Sequence, residues 1–189
     1  LIAFSRPVFS LLIILAAVTT ALSQPTIDVK NIELDAFPYI TPNLSYLQTP
    51  DRVSIDFILK EENNKKFQPL LTNEELANSK RGKLVDLGFA KNYYWFKFKI
   101  QNSYTDRKEW SLIVVNPFVR EMELFMVDTM GARSLGKSGS TIPFVKRPNV
   151  SNLFCYSVVT NPKSDATFYL FVDDRGQVGL FSILLYSSG

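Results

Sequence analysis

From Tyr93 to Gln101 apolar and polar positions alternate. Tyr94, Phe96, Phe98 and Ile100 fall on one face, and Tyr93, Trp95, Lys97, Lys99 and Gln101 on the other. Successive strand side chains point to opposite faces, so this stretch predicts a β-strand whose Tyr94 face lies in a core. Further apolar runs at Trp110 to Val115, Glu121 to Asp128, Arg133 to Lys137, Leu153 to Val159, Thr167 to Asp173 and Gly179 to Tyr186 read as strands. They recur at roughly ten- to fifteen-residue intervals, separated by turn-type segments. Those turns are Asn102 to Lys108, Asn116-Pro117, Asp128 to Gly131, Asn161 to Asp165 and Asp174 to Gly176. Residues 53–59 also alternate, with Val53, Ile55, Phe57 and Leu59 against Ser54, Asp56 and Ile58, and predict a half-buried strand. Leu153 to Val159 and Thr167 to Phe171 are apolar on nearly both faces, as expected of central, covered strands.

One helix signal interrupts this pattern. In Thr72-Asn73-Glu74-Glu75 the Thr72 hydroxyl is placed to cap the amide at Glu75, and the Glu75 carboxylate to reach back to Thr72. Gly82 follows, so a short helix near 73–79 is expected. Strands without helical crossovers pair antiparallel, which predicts an all-β chain folded as a sandwich or barrel. Upstream, Pro25, Pro38, Pro42 and Pro50 punctuate residues 24–50, which read as an extended lead-in with one short edge strand.

The first residues have a different logic. Arg6, the apolar run from Val8 to Val18, and Ala21-Leu22-Ser23 have the order of a secretory signal, so residues 1–23 are read as a leader. The run is shorter than the ~20 residues a membrane span needs. About 165 residues remain, enough for one domain with its own core. The division read from the chain is a leader at 1–23, a lead-in at 24–44 and a sandwich domain at 45–189. Without Arg6 the formal charge falls from +3 to about +2, spread over mixed runs, so nucleic acid is not indicated. Cys155 is the one cysteine, which leaves no intrachain disulfide, and its apolar neighbours Phe154 and Tyr156 mark it as a small core residue.

Candidate chemistry is sparse. The sequence contains no histidine, which removes Ser-His-Asp and Cys-His catalysis and the commonest zinc ligand. Asp128, Asp173 and Asp174 are the carboxylates a glycosidase would need, but each falls at a strand-ending turn where Asp bonds its own backbone. Calcium on Asp173 and Asp174 is the alternative for that pair. Gly131, Gly136 and Gly139 fit no phosphate-binding loop. The reading is therefore of a non-enzymatic domain, with no cofactor and no metal assigned. Amphipathic ligands stack on aromatic rings beside hydrogen-bonding groups, which makes Trp95, Tyr93 and Trp110 the candidate ligand-binding residues. Trp95, opposite the core face, is expected to be partly exposed unless a second sheet or residues 67–90 cover it. Trp110 begins a core strand. Arg120 and Arg147 are polar residues in apolar loops, placed either to hold a ligand carboxylate or to brace loop carbonyls.

Several short motifs occur in a fixed order: Leu87-Gly88-Phe89, Tyr94-Trp95-Phe96-Lys97-Phe98, Asn102, Asn116-Pro117, Glu123-Leu124-Phe125, and Ile142-Pro143-Phe144 running to Arg147-Pro148. This series resembles the second type of extracellular domain of bacterial seven-transmembrane receptors with diverse intracellular signalling modules (7TMR-DISM), over roughly residues 45–188. The resemblance implies a jelly-roll β-sandwich similar to carbohydrate-binding modules, lying in the periplasm. It also implies inner-membrane anchoring and C-terminal transmembrane and cytoplasmic signalling modules beyond residue 189. The function expected is sensing of a small-molecule ligand, carbohydrate being one class. The alternative is a protein–protein interaction or dimerisation module on the cell exterior, with a partner protein or a second copy as its target.

Overall fold

The computed structural model describes residues 26–33, 38–62, 67–71, 85–149 and 151–188. The leader and the helix expected near 73–79 lie outside them. Strand β5 (Tyr93–Asn102) is the spine of the larger sheet. Along its whole length it pairs antiparallel with β10 (Ser164–Asp173), with Phe98 opposite Phe168. On its other side β2 (Ser45–Thr49) runs antiparallel, while β1 (Thr26–Asp28) runs parallel beside its last residues. β10 then pairs with β7 (Glu121–Asp128), β7 with β8 (Gly131–Ser138), and β2 with β3 (Gln68–Pro69), giving seven strands among the described residues. A second sheet has the order β12 (Ile183–Ser187), β6 (Lys108–Val114), β9 (Phe154–Thr160). A two-stranded ribbon joins β4 (Val85–Phe89) to β11 (Val178–Phe181). Consecutive strands cross between the larger and smaller sheets, as from β5 to β6 to β7, so the chain is all-β and closes a sandwich.

The alternation read from the sequence sets which side chains meet inside. Tyr94, Phe96, Phe98 and Ile100 of β5 join Phe168, Leu170 and Val172 of β10, and face Trp110, Leu112 and Val114 of β6 and Tyr156 and Val158 of β9. At about 25 cal/mol per Å2, burial of these large side chains is the main driving force for closing the sheets. The large polar rings of this core are matched: Tyr156 Oη donates to the Met122 carbonyl at 3.2 Å, and Trp110 Nε1 to Thr160 Oγ1 at 3.2 Å. Asn102 closes the same end, donating to the Asp106 and Thr160 carbonyls and accepting from the Tyr104 amide.

Several sequence expectations change. Residues 53–59 form no strand: Ile55–Glu61 is a helix, α2 of the chain, after the short α1 at Val29–Glu33. Ser54 Oγ accepts the Phe57 amide and caps α2, with Asp56 in its first turn and Lys60 in its last. Ile58 is buried and Ile55 and Leu59 pack around it, while Phe57 turns outward, so the apolar spacing that counts is i, i+3, i+4 and not two. Gly179 to Tyr186 is two strands. At Ser182 the chain leaves β4 for β6, and the Ser182 carbonyl accepts the Val115 amide at 2.8 Å. Strand β9 is at the edge of its sheet, not central, so Cys155 is half-buried on its outer side and not a core residue. β10, between β5 and β7, is the central strand buried on both faces.

Candidate functional site

The outer face of the larger sheet carries a second apolar cluster, separate from the core. Register aligns its side chains in rungs. Leu47, Trp95, Phe171, Glu123 and Lys137 sit on one, and Thr49, Tyr93, Asp173 and Glu121 on the next. A third holds Lys97, Tyr169 and Phe125. Trp95 stands 5.3 Å from Phe171 and 5.9 Å from Phe125, both rings tilted, and Tyr93 stacks on Phe171 at 5.8 Å.

Helix α2 lies across this face and is pinned at both ends. At its C-terminal end Glu62 pairs with Lys97 and accepts the Tyr169 hydroxyl at 2.7 Å. Burial, reinforced by Glu62, pushes that hydroxyl well above the usual tyrosine range. Ahead of the helix, the Arg52 guanidinium grips both Glu121 carboxylate oxygens and lies 4.9 Å over the Phe171 ring. The hydrogen bonds from Arg52 hold the Glu121 carboxyl below its usual value against the opposing effect of burial.

Between these clamps is a pocket of about 250 Å3, walled by Val53, Ile55, Trp95, Phe125 and Phe171, with Arg52, Ser54 and Glu123 as its polar members. Trp95 is only 1% exposed, and its indole N–H has no hydrogen-bond partner among the described residues. A buried donor without an acceptor is uncommon in a finished core, and here it belongs to a residue that lines a pocket. Among the described residues no group of three or more His, Cys, Asp or Glu is placed to hold a metal ion.

The structure separates the residues singled out from sequence. Trp95 and Tyr93 share the outer face, but Trp95 is buried there instead of partly exposed, because α2 and Phe67 cover the cluster. Arg175 caps Tyr93 at 3.9 Å and forks onto Asp173. Burial alone would raise the Asp173 carboxyl, but the hydrogen bonds from Arg175 bring it below its usual value. Its neighbour Asp174 is fully buried with both oxygens unpartnered among the described residues. Burial, then the charge of Asp173, pushes it up to about 6. Asp128 accepts the Met130 amide at 2.8 Å, the turn bond that its position implies.

Trp110 lies between the sheets, its polar atom already bonded, and so offers nothing to a ligand. Arg147 is a brace: its Nε donates to the Ile142 carbonyl at 3.1 Å and its guanidinium covers Phe144 and Phe154. Arg120 is exposed, and its backbone ties the start of β7 to Asp173 and Thr141. Arg52, Glu123, Phe125 and Phe171 were not singled out from sequence. They become neighbours only once strand register is fixed, although Arg52 just ahead of the capping Ser54 was a readable hint.

Among curated proteins, none matches this chain. Of solved structures, it is similar to the enzymatically active domain of bacteriophage CBA120 tailspike protein 4, with 13% identity and a TM-score of 0.33 over 76% of this chain. It is also similar to a family GH115 4-O-methyl-α-glucuronidase with specificity for decorated arabinogalactans, with 15% identity and a TM-score of 0.29 over 60% of this chain. The chain spans 19% and 17% of those chains respectively, and likenesses this distant carry no functional argument. The family profile described as 7TMR-DISM extracellular 2 matches residues 41–186. The protein therefore belongs to the 7TMR-DISM extracellular 2 family, the extracellular sensor domains of bacterial seven-transmembrane receptors.

Proposed function

We propose that this domain senses a small-molecule ligand in the periplasm through the pocket beneath Arg52 and α2, and passes occupancy to membrane segments beyond residue 189. On this reading residues 1–23 direct export and residues 45–189 form the sensor. The observation that carries it is the unpartnered Trp95 indole N–H in the wall of a pocket bridged by the Arg52–Glu121 pair. A ligand that binds with Arg52 released favours one placement of the 52–62 segment over another, and such a difference in affinity is what signalling requires. Carbohydrate is the class implied by likeness to carbohydrate-binding modules. Among the described residues no helix is long and apolar enough to cross a membrane, so anchoring would fall to segments outside them. The test is a thermal-shift and calorimetric screen of saccharides and metabolites. Specific binding lost in Trp95→Ala supports the reading, and no binding by any compound overturns it.

A second reading has its own observation. Phe118, 68% exposed, stands on the loop ahead of β7, Phe89 ends β4 just ahead of β5, and Val145, 85% exposed, lies on the connection between β8 and β9. These loops are hydrogen bonded to their neighbours, Ala90 to Gln177 and Arg120 to Asp173, so the apolar groups are displayed on an ordered rim. That arrangement suits docking of a partner or a second copy. Light scattering that shows a dimer broken by Phe118→Ser would favour this reading, and a monomer at high concentration would remove self-association.

A further inference from the structure

We infer, resting on the ligand-sensing reading above, that the α2 pocket takes a compact, mostly apolar ring bearing one hydrogen-bond acceptor for Trp95 Nε1–H, and not a saccharide. Size comes first. A closed apolar cavity of about 150 Å3 accommodates benzene. The present pocket, about 250 Å3 and partly open to solvent, has room within it for a single substituted ring.

The donors and acceptors point the same way. Every hydroxyl of a buried sugar needs a partner, because an unpaired polar group loses its hydration without return. The polar groups of this pocket are already engaged. Ser54 Oγ accepts the Phe57 amide at 3.2 Å. Glu123 accepts the Ser134 hydroxyl at 2.7 Å and faces Lys137 at 3.6 Å. Arg52 is forked onto Glu121. Of the polar groups lining the pocket, the one without a partner among the described residues is the Trp95 indole, which is a donor only and so selects a carbonyl, ether or carboxylate oxygen.

The remaining wall, Val53, Ile55, Phe125 and Phe171, offers ring faces and aliphatic groups that solvate another ring and bind no hydroxyl. Arg52, with its side chain 45% exposed, is the wall member free to swing aside. Its movement outward would open a path for a ligand oxygen to the buried indole N–H and carry the guanidinium away from the pocket.

The test uses the intact chain labelled with 15N, in which two tryptophans give two indole N–H signals. Acetophenone supplies a ring with one carbonyl, toluene the ring alone, and glucose and galactose the saccharide class. The expected result is a downfield shift of the Trp95 signal with acetophenone, little downfield shift with toluene, and none with the sugars, while Trp110 stays in place. Trp95→Phe should weaken acetophenone binding at least five-fold and leave toluene binding within two-fold. A sugar that shifts Trp95 while acetophenone does not would overturn the ligand class and leave the sensing reading intact. Silence of the Trp95 signal with every probe would overturn the assignment of this pocket. The sensing reading is judged separately, by the wider screen. The wild-type titration decides the matter even if Trp95→Phe fails to fold.

Discussion

The two tryptophans are almost equally buried, at 1% exposure for Trp95 and 0% for Trp110, yet they lie in different kinds of interior. Trp110 is enclosed by two sheets and hydrogen bonds Thr160, whose carbonyl in turn accepts from Asn102. Trp95 is covered by a two-turn helix and Phe67, borders a pocket, and has no acceptor among the described residues. Depth of burial does not separate the two tryptophans; satisfaction of the indole N–H does. A network in which each donor has its acceptor fixes one structure. An unmatched donor under a thin cover leaves free energy for something else to recover.

The largest expected effect tests the core side of this contrast. Trp110→Ala should cost about 3–5 kcal/mol, because it opens a cavity between the sheets and removes the hydrogen bond to the Thr160 hydroxyl. Trp95→Phe should cost under about 1 kcal/mol, since no hydrogen bond is lost and the missing atoms adjoin existing space. Trp110→Phe, which loses the bond to Thr160, should cost more than Trp95→Phe, and equal losses of stability in urea denaturation of the two would break the comparison.

The neighbouring carboxylates repeat the contrast at smaller scale. Asp173 is matched by Arg175, whereas Asp174 is buried without a partner among the described residues, near Asp173 and Tyr94. Its carboxyl titrates at about 6 in the fold against 3.8 ordinarily, so the fold binds its proton more tightly than the unfolded chain does. Stability from this group is therefore fully present below 3.8 and lost as pH rises to about 6. At 1.36 kcal/mol per unit the loss is roughly 1–3 kcal/mol. Asp174→Asn should be more stable than the parent at pH 7 and should flatten the rise in stability toward pH 4. A parent melting temperature that does not change over that range would remove the assignment.

How much of this could be read from the chain depends on whether a feature is local. The face of β5 was legible because alternation is a property of one strand and its ends are marked by turn residues. Trp110 as a core residue and Asp128 as a turn residue followed from the same kind of signal. Residues 53–59 misled because Val53, Ile55, Phe57 and Leu59 fit a strand as well as Ile55, Ile58 and Leu59 fit a helix. The choice is made by a sheet face that covers the second set, and that face is assembled from distant strands. For the same reason Trp95 was found without its companions. Phe171 and Glu123 lie on its rung only through the registers of β5 with β10 and β10 with β7. For Arg147 the sequence left ligand holding and bracing both open, and the bond to the Ile142 carbonyl with the cover over Phe144 and Phe154 shows the brace.

The cover over Trp95 can be loosened in two steps. Ser54→Ala removes the α2 cap and should cost about 1 kcal/mol, with faster hydrogen exchange in Ile58 and Leu59 than in β6. If α2 and β6 amides accelerated together, the helix would be part of the core and not a separable cover.

Arg52→Ala should have the smallest effect on stability, about 0.2–1 kcal/mol, because the Arg52–Glu121 pair is partly exposed and screened by salt. Its effect on the pocket should be larger than its effect on the fold. With the fork gone, the Trp95 indole proton should exchange faster with solvent, while that of Trp110 keeps the parent rate. Acid should act in the same direction. The Glu121 carboxyl is held below 4.5 by Arg52, so the contribution of the pair is present above that pH and is lost as pH falls through the lowered value. Equal acceleration of both indole protons in Arg52→Ala would mean that both report global unfolding, and the two interiors would then be one.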